Sequence, residues 1–122
     1  MKGLVIKEYW LNKIFDQINP KDWEVRGTNT TIRGRIYLLQ SGSEMIVGEA
    51  DLVDTLPLNI RKFEDNMHRH QIPSWNQVPY KQPWAWVFQN VKKYTQPVPY
   101  NHPQGAVIWV NVGDAKYEEV NN

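Results

Sequence analysis

Three charged side chains stand close together in Asn19-Pro20-Lys21-Asp22-Trp23-Glu24-Val25-Arg26, namely Lys21, Glu24 and Arg26. In an extended strand, side chains alternate, so Glu24 and Arg26 share one face. Lys21 precedes them at a turn and can reach the same mouth. A carboxylate between two cations is held ionised, and the cations can meet a phosphate or a base carbonyl. The same set could do acid–base work. Glu24 would act as general base on water or on a ribose hydroxyl, and Lys21 or Arg26 would stabilise charge developing at phosphorus. Taken alone, mixed charges at this spacing usually form a solvated ion-pair cluster on a strand edge.

Other chemistries find no support. The chain has no cysteine, hence no disulfide framework, thiolate metal site or thiol nucleophile, and this composition fits a reducing cytoplasm. There is no P-loop, GxGxxG, GxSxG or HExxH pattern. His68 and His70 are two residues apart, a spacing that on a helix faces different ways, and no third ligand is near. They read as surface polar residues, and His102, in a Pro-flanked loop, reads as structural. No metal and no cofactor is expected.

Six tryptophans accompany six tyrosines. Such rings mostly fill cores. Rings beside Pro, Lys or Gln, as in Pro83-Trp84-Ala85-Trp86, also wall pockets in which a base stacks. Trp10, Trp84 and Trp86 are therefore the candidate stacking faces. The net charge of +1 provides no general cationic field for duplex binding. Residues 1–112 hold 13 of the 14 basic and 10 of the 13 acidic side chains, a net of +3 that permits a local basic pocket.

The elements that must position these residues follow from periodicity. Gly3 to Lys7 is β-prone. From Glu8, the positions of Trp10, Leu11, Ile14, Phe15 and Ile18 make an apolar stripe at helical spacing, ended by Asn19-Pro20. Arg35 to Gln40 alternates, with Ile36 and Leu38 on one face and Tyr37 and Leu39 on the other. Ser41-Gly42-Ser43 makes a hairpin connection. Met45 to Asp54 is the longest strand expected, with Ile46, Ala50 and Leu52 inward, Glu49 and Asp51 outward, and Gly48 at a bulge or close backbone approach. Asn59 to His70 reads as a short helix capped by Asn59, with Ile60, Phe63 and Met67 buried. Pro73, Pro79 and Pro83 break the next stretch into irregular loop. Trp84 to Val91 and Ala106 to Val112 read as the last strands, with Pro97-Val98-Pro99 extended between them.

Strands with a few short helices at their ends predict an α+β, mostly β fold: a curved or closed antiparallel barrel with two or more short flanking helices. The length suits one domain, expected over residues 1–113, with a short acidic tail over 114–122. No secretory leader and no membrane-spanning run is visible. Nothing in the sequence sets an oligomeric state.

The charged segment resembles the signature of the ASCH family, GxKxxExR after the first helix, with Asn19 where glycine is usual. Other stretches agree in order. Gly3 to Trp10 is similar to the family's opening strand and helix, and Ile32-Arg33-Gly34-Arg35-Ile36 to its second strand region. Ile46-Val47-Gly48-Glu49-Ala50-Asp51-Leu52-Val53-Asp54 resembles its central strand. Trp84 to Asn90, Pro97 to Tyr100 and Gln104 to Trp109 resemble its closing strands and loop. Residues 59–82 and the tail lie outside the resemblance.

The resemblance implies a PUA-like barrel and a cleft in which Lys21, Glu24 and Arg26 line a pocket for single-stranded RNA or a modified nucleoside. It also implies an alternative, a hydrolase acting on RNA or on acetylcytidine. The acetylcytidine amidohydrolases of the wider family use a threonine nucleophile with a lysine base. Lys21 matches the lysine, but Glu24 stands at the threonine position. A third possibility is a protein-interaction module built on the proline-rich loop of residues 73–84.

Overall fold

The computed structural model describes residues 1–113, so the expected acidic tail lies outside the described residues. Six strands form one curled half-barrel sheet, in the order β2-β5-β4-β3-β1-β6. They are β1 (Lys2–Ile6), β2 (Trp23–Arg26), β3 (Gly34–Gln40), β4 (Met45–Pro57), β5 (Trp84–Pro99) and β6 (Trp109–Asn111). Three short helices accompany them, α1 (Glu8–Ile14), α2 (Ile60–Glu64) and α3 (Met67–His70). The β1–β3 pair is parallel and the other neighbours are antiparallel. Among the described residues, strands β2 and β6 are the two edges of the sheet, so the barrel curls without closing.

The alternation in β3 has a direct physical counterpart. Ile36 and Leu38 enter one apolar cluster with Leu4, Ile6, Leu11, Ile14, Trp86 and Phe88. Tyr37 and Leu39 enter a second cluster, on the other face, with Ile46, Tyr94, Val98 and Tyr100. A central strand covered on both faces reads as a continuous apolar run. A third cluster, of Trp23, Val25, Leu58, Phe63, Ile72 and Ala85, packs α2 and the following loop against β2 and β5.

Several expectations are corrected. The first helix ends at Ile14, and Ile18 is 86% exposed. Asp16 Oδ1 accepts hydrogen bonds from the backbone N–H groups of Ile18 and Asn19, a local turn that competes with helix. Residues 59–70 form two helices, α2 and α3. Asn59 does cap the first, accepting from Lys62 N, and Phe63 is buried, but Ile60 is half exposed. The closing region holds one long bent strand, because β5 continues through Pro97-Val98-Pro99, while the stretch from Ala106 yields only Trp109–Asn111. Glu49 is buried: it binds Arg35 Nε at 2.7 Å and accepts from Tyr94 Oη at 2.6 Å. Gly48 sits at a register shift, and a Cβ there would run into the Lys92 carbonyl and the Phe15 ring.

Candidate functional site

The open side of the half-barrel holds a cavity of about 590 Å³. Its walls are Tyr9 and Trp10 from the first turn of α1, Lys21, Glu24 and Arg26 from the charged segment, Val5 and Val107, and a roof of Ile72, Pro73, Gln77, Val78, Pro79 and Tyr80. The three charged residues converge on one concave site.

Each is positioned by its own local structure. The turn at Asp16 brings the chain back so that Lys21 N donates to the Lys13 carbonyl at 2.9 Å. Lys21 is almost wholly buried, and its Nζ donates to the carbonyls of Trp23 at 2.6 Å and His70 at 2.7 Å. It lies 3.6 Å from Glu24 Oε1 and 4.6 Å from the centre of the Trp10 ring. Burial lowers its pKa from 10.5 to about 8, against the opposing pull of Glu24. Lys21 is therefore first a tie between β2, α1 and α3.

Glu24 and Arg26 project from one side of the edge strand β2, as their spacing predicts. Glu24 is 5% exposed. Its Oε2 takes Arg26 Nε at 3.0 Å and Nη2 at 2.9 Å. Arg26 Nη2 also donates to the Val5 carbonyl at 2.8 Å, so the guanidinium spans the gap between β2 and β1. Among the described residues, Glu24 Oε1 accepts no hydrogen bond and Arg26 Nη1 donates none.

The tryptophans divide. Trp10 is half-buried on the cavity wall, with Tyr9 edge-on at 4.8 Å. Trp86 does not serve as a stacking face. It is 1% exposed, stacked on Trp109 at 5.7 Å, with its indole N–H donating to the Thr28 carbonyl at 3.0 Å. Trp84 is half-buried against the first core cluster and is not a lining residue. Both pair with β2 and share a sheet face with the charged residues opposite them, Trp86 with Glu24 and Trp84 with Arg26, and the Arg26 guanidinium lies over the Trp86 ring at 5.7 Å.

The histidines also depart from a surface reading. His70 is fully buried and stacked on Phe63 at 3.9 Å. Its Nδ1 accepts from Ile72 N at 3.0 Å, which leaves the proton on Nε2 to be donated to the Phe63 carbonyl at 2.8 Å. Burial pushes its pKa down, favouring this neutral form. His102 ties Tyr100 Oη to the Ala106 carbonyl, in keeping with a structural role. Among the described residues, no three His, Asp or Glu side chains gather where they could hold a metal. No described helix is long and apolar enough to cross a membrane.

The residues that sequence reasoning missed are those of the roof. Tyr80 follows Pro79 and precedes Lys81, the same local pattern that singled out Trp84. Only the fold decides which such ring meets the cavity.

A curled sheet with short helices defines an α+β, mostly β fold, and it is the fold of the solved ASCH structures. It superposes on the crystal structure of ASCH from Zymomonas mobilis with a TM-score of 0.62 at 13% identity, covering 98% of this chain and 92% of that one. A Tyr-to-Phe variant of the same protein gives 0.66 at 12% identity, covering 98% and 95%. A Ser-to-Ala variant gives 0.65 at 11% identity, covering 98% and 93%. No protein-family profile matches the sequence, and no curated protein matches it significantly.

Proposed function

We propose that this chain binds an unpaired nucleotide of single-stranded RNA, or a free nucleoside, in the cavity beside Glu24 and Arg26. Glu24 Oε1, which accepts no hydrogen bond and meets Lys21 Nζ only at 3.6 Å, and Arg26 Nη1, which donates none, carry the proposal. An acceptor and a donor on residues that line one cavity can meet a nucleobase edge, where an N–H neighbours a carbonyl or ring nitrogen. Pairing occupies that edge in a duplex, so the base must be unpaired. The Glu24 carboxylate repels a phosphate, which leaves the phosphate to Lys7, an exposed cation that also lines the cavity. The volume suits a small organic ligand, within the roughly 300–1,000 Å³ usual for such sites. Likeness to the ASCH fold agrees with this class of ligand.

The test is fluorescence anisotropy with a short labelled RNA of mixed sequence, single-stranded and as duplex, at low salt. The single strand is expected to bind more tightly, and Glu24→Gln to weaken it by about tenfold. Equal affinity for the duplex, or no loss in the variant, would overturn the proposal.

Hydrolysis is a second reading, favoured by the pKa of about 8 at Lys21, which suits acid–base work near neutrality. It requires wild-type protein to turn over acetylcytidine or single-stranded RNA, with product lost in Lys21→Met and Glu24→Gln. Chromatography showing no product from wild type would remove it.

A further inference from the structure

A Cβ on Gly27 would lie 2.6 Å from Tyr80 Cδ1, 3.0 Å from Cγ and 3.1 Å from Cε1. The ring therefore rests on a bare Cα. Gly27 is not in the left-handed region of backbone space, so its φ makes no demand for glycine. The close approach of the ring does. Gly27 follows Arg26 directly, and both Arg26 and Tyr80 line the cavity.

Tyr80 is 39% exposed and lines the cavity. Among the described residues it makes no hydrogen bond, ring stack or cation–π contact, so its ring and hydroxyl are uncommitted. Trp10 is more occupied, since Lys21 Nζ lies over its ring and Tyr9 abuts it. The loop that carries Tyr80 is tied down. Leu58 N donates to the Pro83 carbonyl at 2.9 Å, and Gln82 Nε2 reaches the carbonyls of Leu58 at 3.2 Å and Pro83 at 2.9 Å. Pro79 stiffens the approach. A ring held by its surroundings loses little freedom when a base stacks on it.

We propose that Tyr80 is the stacking wall of the cavity, touching the ligand's base, and that Gly27 is a positioning residue that seats it. This rests on the nucleotide reading above.

A double-mutant cycle tests it, with the same labelled single-stranded RNA as probe. Tyr80→Ala is expected to weaken binding about tenfold, and Tyr80→Phe, which keeps the ring, much less. Gly27→Ala should weaken binding severalfold in the wild-type background and add nothing in the Tyr80→Ala background. The Gly27 α-proton resonances should carry a ring-current shift that Tyr80→Ala abolishes. Tyr80→Leu, which keeps bulk without a ring, covers the case in which alanine disturbs the loop. If Gly27→Ala costs the same in both backgrounds, its positioning role is overturned. If wild type binds and the Tyr80→Ala and Tyr80→Leu variants bind equally well, the role of Tyr80 falls while the nucleotide reading stands. If wild type binds no RNA, the nucleotide reading falls and takes the stacking wall with it.

Discussion

Arg26 meets Glu24 through two nitrogens on a single oxygen: Nε at 3.0 Å and Nη2 at 2.9 Å both approach Oε2. The other oxygen, Oε1, sees Lys21 Nζ at 3.6 Å, too far for a hydrogen bond. The carboxylate is thus anchored by one oxygen and available through the other. The arrangement leaves one oxygen of a cavity-lining carboxylate without a hydrogen bond.

Arg26 consequently has a structural duty as well as a place in the site. A residue on an open pocket wall could be truncated with little effect on stability. Here Arg26→Ala removes the bond to Val5 across the open side of the sheet and leaves Glu24 buried beside Lys21 alone. Losing one partner of a largely buried ion pair is costly, and a loss of about 2–3 kcal/mol is expected. Urea denaturation reads the change. An unaltered midpoint with unaltered m-value would show that the guanidinium does not hold β2 to β1.

Gly48 makes a prediction about the sheet that supports the site. An added methyl would meet the Lys92 backbone carbonyl, which belongs to the paired strand, and the Phe15 ring beneath α1. Backbone cannot swing aside as a side-chain tip can. Gly48→Ala should destabilise the protein by at least about 2 kcal/mol, the scale of an overpacked core. Thermal melting checks this, and a variant as stable as wild type would mean that β4 and β5 separate more easily than their bulged register suggests.

Legibility in the sequence followed the range of the interactions. The two-faced apolar alternation of β3 and the shared side of Glu24 and Arg26 depend only on the strand period, and both were readable. The length of α1 was not, because Asp16 offers a competing turn that the apolar stripe through Ile18 conceals. Trp84 and Tyr80 each directly follow a proline, yet only Tyr80 lines the cavity. Pairing of β5 with β2 buries Trp86, while the fold of residues 72–80 over the opening brings Tyr80 to the cavity. Those outcomes depend on contacts distant in sequence, as does the burial of His70 between Phe63 and Ile72.

Lys21 gives the protein a pH signature. The unfolded chain keeps this proton up to 10.5, whereas burial releases it at about 8 in the folded state. Between those values the unfolded state holds more protons, so the group's contribution to stability rises with pH. The charged form is the penalised one, and the penalty is present in full below pH 8. The neutral amine still has two N–H donors for the Trp23 and His70 carbonyls, so the tie survives deprotonation. Stability should rise by about 1 kcal/mol between pH 7 and 9 through this group. The window separates it from two others. His70, whose pKa burial lowers from 6.5, acts on the acid side, where stability falls as pH drops below that value. Tyr100, whose pKa burial raises from 10.0, acts in the opposite direction to Lys21 and only as pH passes that value. Denaturation of wild type and Lys21→Met across the window isolates the effect, since methionine fills similar space without a titrating group. A flat wild-type profile, or a rise that persists in Lys21→Met, would mean that the lysine keeps its ordinary pKa despite its burial.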